Sequence, residues 1–154
     1  MACPLTEAIV EALADPAAVK VLAAAGHGGE VQAAFKSSLR LRADGFLEHD
    51  ELLETSRTQA ALVHALRFDQ TVLILVLTPE GRAFQIKGRP RRAVVSGAEF
   101  RRRYQEVRRL EPLTDLSAVW LIEPLSADET TLAVRRREEE AKHPLLGHLD
   151  RLTA

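Results

Sequence analysis

The stretch VQAAFKSSLRLRADGFLEHDELLETSRTQAALVHAL, residues 31 to 66, decides the reading of this chain. In its first part Val31, Ala33, Phe35, Ser37, Leu39 and Leu41 alternate with Gln32, Ala34, Lys36, Ser38, Arg40 and Arg42. A period of two predicts a strand over 31–42 with one buried face. Ala43-Asp44-Gly45 follows, and a glycine able to take positive φ marks a hairpin turn. Phe46 and Leu47 restart an extended segment, and an acidic loop spans 48–54. Ser56-Arg57-Thr58-Gln59 then opens a helix that runs to about Arg67. A strand pair that brings hydroxyls and an arginine to a helix start can make an anion site. The first turn has unpaired N–H groups and carries the positive end of the helix dipole.

The totals set the frame. At 154 residues the chain suits one domain with a real core. A hydrophobic fraction of 46%, a charged fraction of 28% and a net charge of −1 describe an ordinary soluble composition with no global field toward nucleic acid or membrane. Nothing approaches the ~20 apolar residues of a membrane span. The single cysteine, Cys3, excludes an internal disulfide framework, and with no secretory core in view the expected location is cytoplasmic.

Outside the opening stretch, Leu5, Ile9 and Leu13 make one face of a first helix that Asp15-Pro16 ends. Val19–Ala25 reads as a strand, and Gly26-His27-Gly28-Gly29 as the turn that pairs it with 31–42, so a three-stranded meander is expected from Val19 to about His49. The apolar run Val72–Leu77 predicts a strand buried on both faces. Thr78-Pro79-Glu80-Gly81 is a turn, and the returning strand through Phe84, Ile86 and Gly88 is expected at an edge or bulged at Pro90. Ser96-Gly97-Ala98-Glu99 predicts a capping box before a helix with the stripe Phe100, Tyr104 and Val107. Val119 to Ile122 is the last strand, stopped by Glu123-Pro124, with a turn or cap at 126–129. A charged helix from Arg135 and a weak apolar pattern in Leu145, Leu146, Leu149 and Leu152 follow. Short turns between strands make the sheet mostly antiparallel, and about six strands with peripheral helices suit a small barrel.

The candidate chemistry has plain readings beside it. Ser56 and Gln59 can simply cap a helix, with Arg57 solvated; the functional reading puts Arg57 and Thr58 on a phosphate. Lys36, Ser37 and Ser38 lie mid-strand, and Lys36 could join such a site. His49, in Glu48-His49-Asp50-Glu51, could transfer protons, although an exposed loop histidine is the simpler reading. None of the five histidines has zinc-ligand spacing, so no metal is expected. The arginines at 89–92 and 101–109 lack interleaved aromatics and read as a solvated surface rather than a nucleic-acid face.

The order of these elements resembles the split-barrel FMN-binding superfamily, which includes pyridoxamine 5′-phosphate oxidase, flavin reductases and small bacterial FMN-binding proteins. The carriers are the opening hairpin with Phe35-Lys36-Ser37-Ser38, the helix start Ser56-Arg57-Thr58-Gln59-Ala60, the strand Phe84-Gln85-Ile86-Lys87-Gly88-Arg89, the helix from Ser96, and Leu125-Ser126-Ala127-Asp128-Glu129-Thr130. The resemblance implies a split β-barrel over residues 1–132 with a helical tail over 133–154. It implies a homodimer with FMN in the cleft between subunits and the partner's last strand or tail closing the site. Arg57 and Thr58 would hold the phosphate with Ser56 beside them, Phe35, Lys36 and Ser37 would line the cleft, and His49 would sit in the loop beside the ring. Electron transfer or flavin-dependent oxidoreduction with a redox partner or small-molecule substrate would follow, and no catalytic residue is named. The alternative is a non-enzymatic dimeric barrel that has lost tight FMN binding. Ala33, Ala34 and Ala61 motivate it, standing where polar residues commonly occur, together with the acidic run at 48–54.

Overall fold

The structure, a computed structural model, describes residues 4–144. The apolar tail pattern, Cys3 and His148 lie outside the described residues. Helix α1 (Glu7–Ala14) precedes β1 (Val19–Ala25), a 3-10 turn (His27–Gly29), β2 (Val31–Phe35), β3 (Arg40–Leu41), β4 (Leu47–Glu51) and α2 (Arg57–Arg67). Strands β5 (Val72–Leu77) and β6 (Ala83–Val94) lead to α3 (Gly97–Leu110), β7 (Ala118–Glu129) and α4 (Leu132–Lys142). The strands form one antiparallel sheet of seven, in the order β2-β1-β5-β6-β7-β4-β3, curled into a half-barrel. The class is the expected one, mainly β with peripheral helices, with seven strands in place of about six.

The extra strand comes from a break in the alternating stretch. Residues 31–42 are two strands at opposite edges of the sheet, separated by a turn in which the Leu39 N–H donates to the Lys36 carbonyl at 3.2 Å. The expected meander therefore does not form. Strand β2 pairs only with β1, while β3 hairpins with β4 through Gly45 at φ 86° and β4 pairs with β7. The buried face also differs from expectation. Val31 is 76% exposed and Phe35 80%, because none of the described elements covers the outer side of this edge. Strand β5 shares that face, so Leu75 and Leu77 are exposed and only Val72, Ile74 and Val76 are buried.

The core lies on the concave side. Ile9 and Leu13 of α1 and Ala61, Leu62 and Ala65 of α2 pack on Leu22, Ile74, Val76, Phe84, Ile86, Trp120 and Ile122. Leu47 of β4 completes it. A second cluster under α3 joins Val94, Val107, Leu116, Val119 and Leu121, with Phe100 and Tyr104 against it, as the stripe in the sequence requires. The Ser96 side chain caps no N–H; Glu99 instead pairs with Arg42.

Strand β7 runs straight through Pro124 to Glu129, where a stop at 123–124 and a turn at 126–129 were expected. The reason is topological. Strand β4 covers β7 only over 118–122, so at Pro124 the side without an N–H needs no ladder partner. Pro90 obeys the same rule, since β5 pairs with β6 only as far as Gly88 and a register shift falls between Pro90 and Arg92.

Gly88 sits at the other register shift, opposite Pro124. A Cβ there would meet Ile122 Cγ2 at 2.6 Å and the Glu123 carbonyl at 3.3 Å. Ile122 is fully buried and cannot move aside. Gly88→Ala should therefore cost about 1–3 kcal/mol of stability by overpacking, measured as a lower urea midpoint with an unchanged slope.

Candidate functional site

Ser56 is the N-cap of α2, and its hydroxyl accepts the Gln59 N–H at 2.9 Å. Half of the expected capping box is thus present. The other half is not, because the Gln59 side-chain oxygen accepts from Trp120 Nε1 at 2.7 Å and ties the helix start to the core. Thr58 is buried beside Ala61 and Leu62. Arg57 points the other way, and among the described residues it has no ion-pair or side-chain hydrogen-bond partner.

Arg57 lines a cleft of about 610 Å³ between α2 and the β1–β2 connection. One wall is the α2 stripe Arg57, Ala60, Ala61, His64, Arg67 and Phe68, whose spacings of three and four residues place them along one side of the helix. The other wall is Gly26, His27, Glu30 and Gln32. His64 packs on Phe68 with ring centroids 4.6 Å apart and meets His27 edge-on at 6.1 Å. The sequence reading missed His27, His64 and Arg67. The i, i+3, i+4 spacing from Arg57 was the available signal, but nothing in the sequence says which side of α2 faces the hairpin turn.

Lys36 and His49 come together, but beneath the surface rather than in this cleft. The 48–54 run is not an acidic loop. Residues 47–51 form β4, with His49 1%, Glu51 2% and Asp50 4% exposed. Their charges are matched. Lys36 Nζ lies 3.4 Å from Glu51, and Ser38 Oγ lies 2.9 Å from His49 Nδ1 while accepting the Asp50 N–H at 3.0 Å. His49 Nε2 is 3.5 Å from Glu51 Oε2. A carboxylate only accepts, so the neutral ring carries its proton on Nε2 and takes the Ser38 hydroxyl proton at Nδ1. Asp50 faces the other side, where Arg40 grips it at 3.1 and 3.2 Å and Arg103 of α3 at 3.0 and 3.1 Å.

Phe35 stands on the outer face, away from this network, and Ser37 is exposed in the turn. The expected site residues therefore fall into three places: Ser56, Arg57 and Thr58 at the helix start, Lys36 and His49 in the buried network, and Phe35 and Ser37 at the edge. Among the described residues no group of three His, Cys, Asp or Glu converges as a metal site, and no helix is long and apolar enough to cross a membrane.

The buried network sets a pH dependence. Burial pushes the Glu51 carboxyl up, but the His49 bond, the Lys36 charge and the Leu53 N–H outweigh it and hold it at about 2. Burial holds His49 below its ordinary 6.5 against the pull of Glu51. Both shifts have one sign. An unfolded chain takes up protons at these groups at a higher pH than the folded one, so stability is fully present above 6.5 and falls with acid. The loss starts below pH 6.5 as unfolded His49 protonates, and continues from 4.5 toward 2 through Glu51. Urea unfolding measured from pH 8 to 3 should show this decline, and Glu51→Gln should flatten the segment below pH 4.5. Asp50→Ala should cost about 2–3 kcal/mol, less than the 3–5 of a fully buried pair because the guanidinium groups are partly hydrated.

No protein-family model matches the sequence, and no curated protein is significantly similar to it. Solved structures are similar in fold. HupZ of Group A Streptococcus is 14% identical with a TM-score of 0.69, over 84% of this chain and 96% of that one. An FMN-binding protein from Syntrophomonas wolfei subsp. wolfei is 15% identical with a TM-score of 0.60, over 73% and 77%. A provisionally assigned pyridoxamine 5′-phosphate oxidase from Lactobacillus delbrueckii is 13% identical with a TM-score of 0.60, over 80% and 93%.

Proposed function

The chain has the fold of the split-barrel FMN-binding superfamily, and from that premise we propose that it is a flavin-binding protein that holds FMN by its phosphate at the start of α2. The observation that carries the reading is Arg57: a guanidinium with no ion-pair partner among the described residues, on the first turn of an eleven-residue helix, lining an open cleft. The first-turn N–H groups have no intrahelical acceptor, and the helix dipole adds positive potential, so a dianionic phosphate is the matched ligand. Ser56 shapes the turn by capping it. Thr58 supports from below, and its backbone N–H remains part of the cradle. Lys36 is already committed to Glu51, so Arg57 supplies the side-chain charge.

Most of the acidic run is neutralised, because Glu48, Asp50 and Glu51 are each paired with Lys36, Arg40, Arg42 or Arg103, which leaves the exposed Glu54 as the one carboxylate of the run without a partner among the described residues. The observation weakens the alternative of a barrel that has lost its flavin. The ring would lie along the cleft side of the edge strand β2, beside Gln32. Bound there, the flavin supplies redox chemistry, and the protein orients it and screens it from water. The activity class is electron transfer or flavin-dependent oxidoreduction with a redox partner or a small substrate.

The outer face supports a homodimer. Val31, Ala33 and Phe35 of β2, Val19, Val21 and Ala23 of β1, and Leu73, Leu75 and Leu77 of β5 stand in register across three strands, exposed or half-exposed among the described residues. Apolar patches of this kind mark interfaces. A second copy would cover the face and bring its own residues to the β2 edge.

Flavin fluorescence on titration of FMN into the purified protein should quench saturably, and Arg57→Ala should raise Kd at least about tenfold, the loss of one charge-assisted hydrogen bond. Unsaturable quenching in the unaltered chain would remove the reading. Sedimentation equilibrium should give twice the chain mass, and Phe35→Glu should shift the protein to monomer by placing a charge in the interface.

A further inference from the structure

The cleft is longer than a phosphate needs. Arg57 and Arg67 lie at its two ends, ten residues apart on α2, which is about 15 Å along the helix axis. Between them the floor is small and apolar, made by Ala60 and Ala61. The Arg67 end is bracketed by His27, His64 and Phe68, whose rings pack into one aromatic corner. Like Arg57, Arg67 has no ion-pair or side-chain hydrogen-bond partner among the described residues. The ordinary role of a basic residue in the last turn of a helix is to offset the dipole. Arg67 does that from an open cleft, beside two imidazoles that hydrogen-bond to no other side chain among the described residues, and Glu30 is the one carboxylate among the described lining residues.

We propose that the cleft has a second anion subsite at Arg67, His27 and His64, which takes a small co-substrate carrying a carboxylate or phosphate while the flavin phosphate occupies Arg57. The proposal rests on the flavin reading for the first subsite only. A guanidinium presents a planar pair of donors to either anion, and imidazole N–H groups add directional bonds. The exposed Phe68 ring, tilted 47° to His64, offers one aromatic face for an unsaturated or aromatic portion of the same molecule. With the flavin phosphate at Arg57 and the co-substrate anion at Arg67, the two ligands enter the cleft from opposite ends without competing for one charge.

The test follows the His27 and His64 side-chain resonances by ¹H–¹⁵N NMR in the full chain, with inorganic phosphate and benzoate as probes, before and after saturation with FMN. Each probe should shift both resonances saturably in the FMN-saturated protein. Arg67→Ala should weaken probe binding at least tenfold and leave the FMN Kd within threefold, while Arg67→Lys should restore phosphate binding in part. Arg57→Ala should do the reverse, weakening FMN and sparing the probes. Arg67 is exposed, so its replacement leaves the fold intact. Loss of the probe response once FMN is bound would overturn the proposal, since the cleft would then have one anion position. So would probe binding that Arg67→Ala leaves unchanged, or a response to neither probe. If FMN fails to bind while the probes still act through Arg67, the flavin reading falls and the second subsite stands. Benzoate binding more tightly than phosphate in wild type, with the preference lost in Phe68→Ala, would assign the co-substrate to the aromatic carboxylates; the opposite order would assign it to phosphate esters.

Discussion

A carboxylate with almost no contact with water, held by two arginines from different elements, is the constraint on which the far side of this molecule depends. Asp50 is the fourth residue of a five-residue strand. Removing it from water is costly unless its lone pairs are filled. Arg40 fills them from the adjacent two-residue strand, and Arg103 fills them from the middle of α3. Burial raises the Asp50 carboxyl and the two guanidinium groups lower it, with a net result below the usual carboxylate range. The consequence is mechanical. The β3–β4 ribbon is short and would make a weak edge, but it is fastened to a long helix that also covers the second hydrophobic cluster. On the other face of the same strand, Glu51 accepts the Leu53 N–H and its carbonyl accepts from Ser117. That fixes where the chain leaves the sheet, and therefore where α2 begins.

The position of α2 is settled from both ends of that loop. Gln59 is locked to the indole of Trp120, which is fully buried. Leu62 and Ala65 insert into the core. With those residues directed inward, the helical period leaves Arg57, His64 and Arg67 on the side that faces the β1–β2 turn. The cleft is thus a by-product of core packing. Its charge is not neutralised from within, in contrast to the neighbouring β4 network, where each acid has a base. The chain pairs Glu48, Asp50 and Glu51 completely, yet leaves Arg57 and Arg67 of one helix face without an ion-pair partner among the described residues.

The two sides of edge strand β2 do different work. Gln32 looks toward the cleft, while Val31 and Phe35 look outward. A flavin at the helix start and a second copy on the outer face would meet along this one strand. Its pattern in the sequence looked like an ordinary amphipathic strand, and it is one. Its apolar side belongs to a surface rather than to the core of its own chain.

Local order was readable from the residues. The breaks at Asp15-Pro16, the turns at Gly45 and Gly81, the helix start at Ser56 and the apolar stripes of α1 and α3 follow from backbone restrictions and side-chain period, which act over a few residues. The antiparallel β-rich class followed from the same short-range facts. Of the residues lining the candidate cleft, the sequence singled out Arg57. Which strands neighbour each other, that 31–42 would split between opposite edges, that His49 and Glu51 would be buried, and that His64 and Arg67 would face the cleft were decided by the fold. Each depends on partners far away in sequence: Trp120 for α2, Arg103 for β4, Ile122 and Pro124 for β6. Alternation states that a strand has two unlike faces. Only the packing of the whole sheet states which face meets water.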